Sequence, residues 1–332
     1  MMLIGCLAAA AVLAAPARAT ESRLTAAQLG IVFDRSDANS TRVAAYYARR
    51  RGVPASNLVG VDPPHRSAIS PTELGALRRI LLTRLPSRVQ SLLIVWSRPY
   101  AVNCMSITTA LAAGYSADFC RPGCVPTLRN PLYDTSGWIP ADTVGWVPAM
   151  LLPSDDPALA RGVIDRGLRA DHSAPRGTVY LVRTADRRRN VRASEYAGAM
   201  RALSGRVEVR ELRTPVRTAV TGAIAYFTGA ISVPEIHRIE FRPGAAADHL
   251  TSTGGVLNGT AQMPILDWLR AGATGSYGTV SEPCNLLPKF PNPTVFMTHY
   301  LRGEPLLEAY WKSVAMPGQG LFVGDPLARP YG

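Results

Sequence analysis

Val89-Gln90-Ser91-Leu92-Leu93-Ile94-Val95-Trp96, written VQSLLIVW, is almost wholly apolar and sits between polar turns. A strand with one wet face alternates apolar and polar residues, and this run does not. Strands of that kind occur where helices cover both faces of a parallel sheet. The flanking sequence agrees. Ser70-Pro71-Thr72-Glu73 opens a helix just upstream: serine caps, proline fits the first turn and glutamate closes a capping box. Further upstream, Gly30-Ile31-Val32-Phe33 reads as a strand and residues 40–51 as a helix. The apolar positions of that helix face a sheet and its arginines face water. Gly52-Val53-Pro54 stops it, and residues 57–61 read as the next strand.

The pattern breaks between residues 100 and 157, where prolines, glycines, tryptophans and three cysteines crowd a segment with little periodicity. It reads as an irregular insertion held by its cysteines. Regular alternation then returns: helices over 159–169 and 194–203, and strands over 177–182, 207–212 and 223–229. A further strand is expected over 246–252, then a helix over 263–270, a small-residue strand over 272–279 and helices over 293–301 and 305–312. This alternation predicts an α/β fold with a mainly parallel sheet flanked by helices, in one domain spanning 20–332. No internal repeat is visible in the sequence.

The first nineteen residues, MMLIGCLAAAAVLAAPARA, form an apolar run ending in Ala17-Arg18-Ala19 and are expected to be a cleaved export signal. Leu3-Ile4-Gly5-Cys6 has the look of a lipoprotein box without the apolar segment such a box follows. No later stretch is apolar enough to span a membrane, so a periplasmic or secreted protein is expected. Four cysteines remain after processing: Cys104, Cys120, Cys124 and Cys284. Export and an even number favour disulfides. Cys120 with Cys124 would close a short loop and leave Cys104 to Cys284, but three pairings are open. The spacings lack the paired knuckles of a structural zinc site.

The formal charge of +12 comes almost entirely from arginine. The densest run, Arg187-Arg188-Arg189-Asn190-Val191-Arg192, has no interleaved aromatics and no recognisable nucleic-acid module. It reads as a solvated loop or a docking patch for an anionic envelope surface, and argues against nucleic acid as a partner. An exported protein or peptide is the expected partner.

Ligands of open α/β sheets sit beyond the carboxyl ends of the strands. That rule would collect Asn103, Cys104, Thr228, residues 248–253 and residues 276–284 on one rim. The stretch Asp248-His249-Leu250-Thr251-Ser252-Thr253-Gly254-Gly255 is its centre. His249 is the candidate base, with Asp248 on the opposite face of the same strand. Ser252 or Cys284 is the candidate nucleophile and Glu282 a further carboxylate. Thr228, Thr251, Thr253, Gly254, Gly255 and Ser276 are candidate ligand-binding residues, and amides near Gly254 a candidate oxyanion hole. A helix entry after Asn258-Gly259-Thr260 would add amides for an anion. The five histidines are scattered and no HExxH pair exists, so neither a metal nor another cofactor is expected.

Nearly the whole mature chain resembles an uncharacterised exported bacterial family whose occurrence follows the exosortase protein-sorting system. The resemblance rests on Trp96-Ser97-Arg98-Pro99-Tyr100, residues 248–255, residues 271–278, Glu282-Pro283-Cys284-Asn285 and residues 320–327. It implies export and supplies no reaction. A more distant likeness is to gingipain-type cysteine peptidases with a caspase-like fold. Residues 226–232 resemble their histidine-bearing strand end, with Ala230 where the base would stand, and residues 249–255 resemble the cysteine-bearing one. That likeness implies a peptidase-like fold lacking the usual catalytic dyad. The expected role is therefore an exported, envelope-associated binding or assembly protein. The alternative is a hydrolase, peptidase or esterase, with a rearranged His/Ser or His/Cys site.

Overall fold

The computed structural model describes residues 24–213, 219–259 and 261–332. The export signal expected over 1–19, and Thr260 of the expected helix entry, lie outside them. The first part of the chain forms β1 (Leu29–Asp34), α1 (Ala38–Arg51), β2 (Leu58–Val61), β3 (Ala68–Ile69), α2 (Pro71–Arg84) and β4 (Ser91–Val95). There follow β5 (Ala101–Val102), β6 (Met105–Ser106), α3 (Ile107–Ala113), α4 (Ala141–Val144), β7 (Ala149–Leu152) and α5 (Pro157–Ala170). The second part forms β8 (Thr178–Val182), α6 (Tyr196–Leu203), β9 (Glu208–Leu212), β10 (Val220–Gly229), β11 (Ile239–Leu250) and α7 (Leu266–Ala271). It ends with β12 (Gly275–Thr279), α8 (Pro293–Tyr300), α9 (Leu306–Ser313) and β13 (Gly320–Gly324).

Local chemistry explains the helices. Ser70 accepts from the Glu73 amide and Glu73 returns to the Ser70 amide, the expected capping box. Asp37 and Asp156 cap α1 and α5, and Gly52 ends α1 at φ 69°. VQSLLIVW supplies β4, buried along its whole length as its composition demanded.

Ten strands form one sheet in the order β2-β1-β4-β7-β13-β12-β11-β10-β8-β9, and β3, β5 and β6 form a small second sheet. The mainly parallel, helix-flanked α/β class is as expected. Every neighbouring pair of the large sheet is parallel except β12 with β13, which run antiparallel with Gly275 opposite Gly324 and Thr279 opposite Gly320. The sheet is thus two five-stranded parallel halves running in opposite directions. Each half has the same order: a first strand, a second outside it, and later strands added on the inner side. The sequence shows no repeat, yet the topology repeats. The seam is tight: a Cβ on Gly320 would meet Tyr277 ring carbons at 2.4 Å, so glycine is required there.

The expected irregular insertion over 100–157 needs correction. It contains α3 and β7, and β7 is a fully buried strand near the middle of the sheet. Four residues between Pro148 and Pro153 carry too little pattern to show a strand. The cysteine-rich part, residues 114–140, is the irregular cover. The four cysteines pair as Cys104–Cys120 and Cys124–Cys284, not as the short Cys120–Cys124 loop. Among the described residues, no helix is long and apolar enough to cross a membrane.

The faces of the second half differ. One is aromatic and packs Phe227, Phe296, Tyr310 and Trp311; the other packs Tyr226, Val182 and Met263 around Trp268. This difference decides where the candidate residues point.

Candidate functional site

The carboxyl ends of β8, β10, β11 and β12 share one edge because these strands are parallel. Thr228 lies opposite His249 and Gly229 opposite Leu250, so the ends of β10 and β11 are adjacent. The loops leaving β8, β11 and β12 enclose a cleft of about 640 Å³. Thr251, Ser252, Thr253 and Gln262 line it, together with Arg188, Arg189, Glu282 and the Cys124–Cys284 disulfide. Ser252 therefore lines the same cleft as Glu282 and Cys284. Cys104 also reaches this edge, its carbonyl accepting from Ser281 Oγ at 2.7 Å.

The interior of the cleft is ordered by hydrogen bonds. Arg189 Nε donates to Thr251 Oγ1 at 2.9 Å, and Thr251 Oγ1 donates to Gln262 Oε1 at 2.7 Å. The Thr253 amide donates to the same Gln262 oxygen at 2.7 Å. Ser252 Oγ has no partner among the described residues, nor has the guanidinium of exposed Arg188. Glu282 Oε1 accepts from the Cys284 amide at 2.7 Å.

His249 does not join them. Alternation along β11 turns it to the Trp268 face, where it is 1% exposed. Trp268 Nε1 donates to His249 Nδ1 at 2.9 Å, so the ring proton sits on Nε2 and is given to the Met263 carbonyl at 3.0 Å. Burial lowers the imidazole pKa to about 4, with Arg192 and Arg189 adding to the effect. Both nitrogens are occupied and the neutral ring is locked, so His249 cannot take a proton from Ser252. The expectation of a His249 base is corrected on that ground.

Asp248 faces the other way and meets Arg192 NH1 at 2.5 Å, with both side chains 1% exposed. Burial raises the Asp248 carboxyl to about 6, against the pull of Arg192. Arg192 also donates to the Thr228 carbonyl at 2.6 Å and lies 5.3 Å from the Phe227 ring centroid. The arginine run read as one solvated loop is therefore divided: Arg187 and Arg188 are exposed, whereas Arg192 is a buried strut between β10 and β11. A carboxylate inside an apolar strand needs a buried cation, and Asp248 was the signal that one of these arginines is inside.

The remaining candidates separate cleanly. Cys284 is bonded to Cys124 and has no thiol to offer. Thr228 and Ser276 are buried in their strands, away from the cleft, and Ser276 Oγ makes no hydrogen bond. Gly254 and Gly255 serve close packing: added Cβ atoms would meet the His249 ring at 3.3 Å and the Gly278 carbonyl at 2.6 Å. The Gly255 amide is already given to the Thr279 carbonyl at 2.9 Å, which removes it from any oxyanion hole. Ala230 follows the last residue of β10, and a side chain on Gly229 would strike the Arg189 carbonyl at 1.9 Å. Sequence reasoning missed Arg188, Arg189 and Gln262 as walls of the cleft, since they come from different loops. Asp325 lies at the far edge, fully buried, accepting from Tyr47 Oη at 2.6 Å and paired with Arg51.

No family model matches the chain, and no curated protein matches it either. A solved structure described as "Structure of Protease" superposes with a TM-score of 0.54 at 9% identity, covering 92% of this chain and 79% of that one. At that identity the likeness concerns the fold alone: the two chains share an overall architecture.

Proposed function

We propose that the chain is an exported, non-catalytic binding protein that holds a peptide segment of a cell-envelope partner in the cleft beside Ser252. The carrying observation is the bonding of His249, whose two ring nitrogens are committed to Trp268 and Met263. A serine without a base is a poor nucleophile at neutral pH. Cys284 is held as a disulfide and Ala230 stands where the distant likeness puts a base. What remains suits binding: hydroxyls, one unpartnered guanidinium and a volume of about 640 Å³. The two disulfides support an extracytoplasmic location. The resemblance to the exosortase-associated family makes exported, sorted proteins the partners to screen first.

The competing reading, a hydrolase using Ser252, draws on the same cleft because Ser252 Oγ is free and Glu282 lines the same walls. Fluorescence-polarisation binding and mass-spectrometric turnover on one peptide and ester panel separate the two. The expected result is saturable binding with every substrate intact for wild type, His249→Ala and Ser252→Ala. Turnover by wild type that disappears in Ser252→Ala would replace the binding reading with the hydrolytic one.

A further inference from the structure

The first half of the sheet has its own strand-end crevice, on the edge opposite the cleft. Chain order places β2 outside β1 and β4 inside it, so β1 and β4 diverge at a topological switch point. Open α/β sheets bind ligands at such points. Asp34 at the end of β1, Ser36 just beyond it, Ser97 and Arg98 after β4, and Asp155 after β7 meet there with His65. They line a crevice of about 260 Å³ with Trp96 also in its wall. A second space of about 130 Å³ shares Ser97, Arg98 and Asp155 with it and is walled by Leu159, Leu257 and Leu266.

The bonding in the crevice narrows the ligand. One amide at the start of each of α1 and α5 is taken by its own cap: Asp37 accepts from Asn39 N at 2.8 Å and Asp156 from Leu159 N at 3.0 Å. The capping carboxylates Asp37 and Asp156 also place negative charge at both helix starts, which opposes a phosphate there. The inner carboxylates are also matched. Asp34 accepts from Ser36 N at 2.8 Å, Ser36 Oγ at 2.7 Å and His65 Nε2 at 2.7 Å, and Asp37 from Ser154 Oγ at 2.8 Å. A bare cation would find no unshared pair of carboxylates.

Several groups are left exchangeable, and they are mixed. Arg98 and Asp155 touch only at 3.5 Å, with side chains 45% and 61% exposed, a contact worth little in water. His65 is bound through Nε2 alone, leaving Nδ1 without a partner among the described residues. Ser97 Oγ accepts from the Ser154 and Asp155 amides at 3.1 Å each, which leaves its own proton to give. Interleaved donors and acceptors beside an apolar wall match a neutral, hydroxyl-rich ring: each hydroxyl both gives and accepts, and the carbon face covers the leucines. We propose that this crevice is a saccharide-binding site, formed by Arg98, Asp155, His65 and Ser97.

The test is a titration of the disulfide-intact protein with glucose, galactose, N-acetylglucosamine and chitobiose, followed through the His65 Cε1 proton resonance assigned with His65→Gln. At least one sugar should give a saturable shift. Arg98→Ala and Asp155→Ala, both at exposed positions, should each weaken that binding by about tenfold with unchanged circular dichroism. Ser252→Ala, in the other cleft, should bind as wild type. The proposal falls if no sugar gives a saturable shift, if the two variants bind like wild type, or if phosphate or glycine displaces the sugar at lower concentration.

Discussion

The two halves of the sheet share a strand order and differ in what holds their carboxyl edges. In the first half, short polar loops close directly on helix caps, and the connections from Asp34 to Ala38 and from Leu152 to Pro157 are only a few residues long. In the second half the edge is built by distant parts: a disulfide from the irregular cover, a buried Arg192–Asp248 pair and a loop folded back through Gln262. One topology therefore supports two constructions, one local and one long-range. The edge that depends on long-range ties is the one that single substitutions should disturb most.

The largest such effect is expected at Cys124–Cys284. Its residues are 160 apart in sequence, so chain-entropy reasoning gives roughly 5 kcal/mol for the cross-link, against about 3 kcal/mol for Cys104–Cys120 with its separation of 16. Urea unfolding of the two Cys-to-Ser double variants should show that order. Hydrogen exchange should rise in β10–β12 before β1–β4 when Cys124–Cys284 is removed. Equal loss in both halves would erase the distinction.

Next in size is Arg192→Leu, which strands the Asp248 carboxylate in the core and should cost about 3–5 kcal/mol. Arg192→Leu combined with Asp248→Leu should recover much of that loss in the same assay. A cost below about 1 kcal/mol for the single variant would mean that the pair is not the strut described here.

The smallest is a pH effect at His249. Its pKa falls from an ordinary 6.5 to about 4 on folding, so the unfolded chain protonates first as the solution is acidified. The stability that His249 contributes is complete above about pH 6.5 and is lost progressively down to about pH 4, some 3 kcal/mol in all. Asp248 runs the other way: its raised pKa makes its contribution grow between about pH 6 and its ordinary 3.8. Comparing wild type with His249→Gln isolates the first contribution, and the variant should show a flatter acid limb in unfolding free energy against pH.

These particulars also explain what the sequence could and could not reveal. Long periodic segments such as α1 and α2, with capping residues and a glycine stop, were legible because their signals are local. VQSLLIVW was legible because burial on both faces leaves no alternation to confuse. β7 was not, since four apolar residues between prolines look like any loop. The pairing of the four cysteines and the burial of Arg192 depend on which loops meet, which adjacent letters do not encode. His249 is the instructive case. Alternation foretold that it and Asp248 would face opposite ways, but only packing against Trp268 and Arg192 revealed that both are engaged in the interior.

The antiparallel seam has a consequence for how the molecule comes into being. β13 completes the N-terminal half of the sheet although it is the final strand in the chain, and it docks beside β7, more than 150 residues earlier. A protein threaded through a membrane amino end first would therefore present β7 as a naked border until residues 320–324 emerge. Closure of that half of the sheet therefore waits on the carboxyl end of the chain.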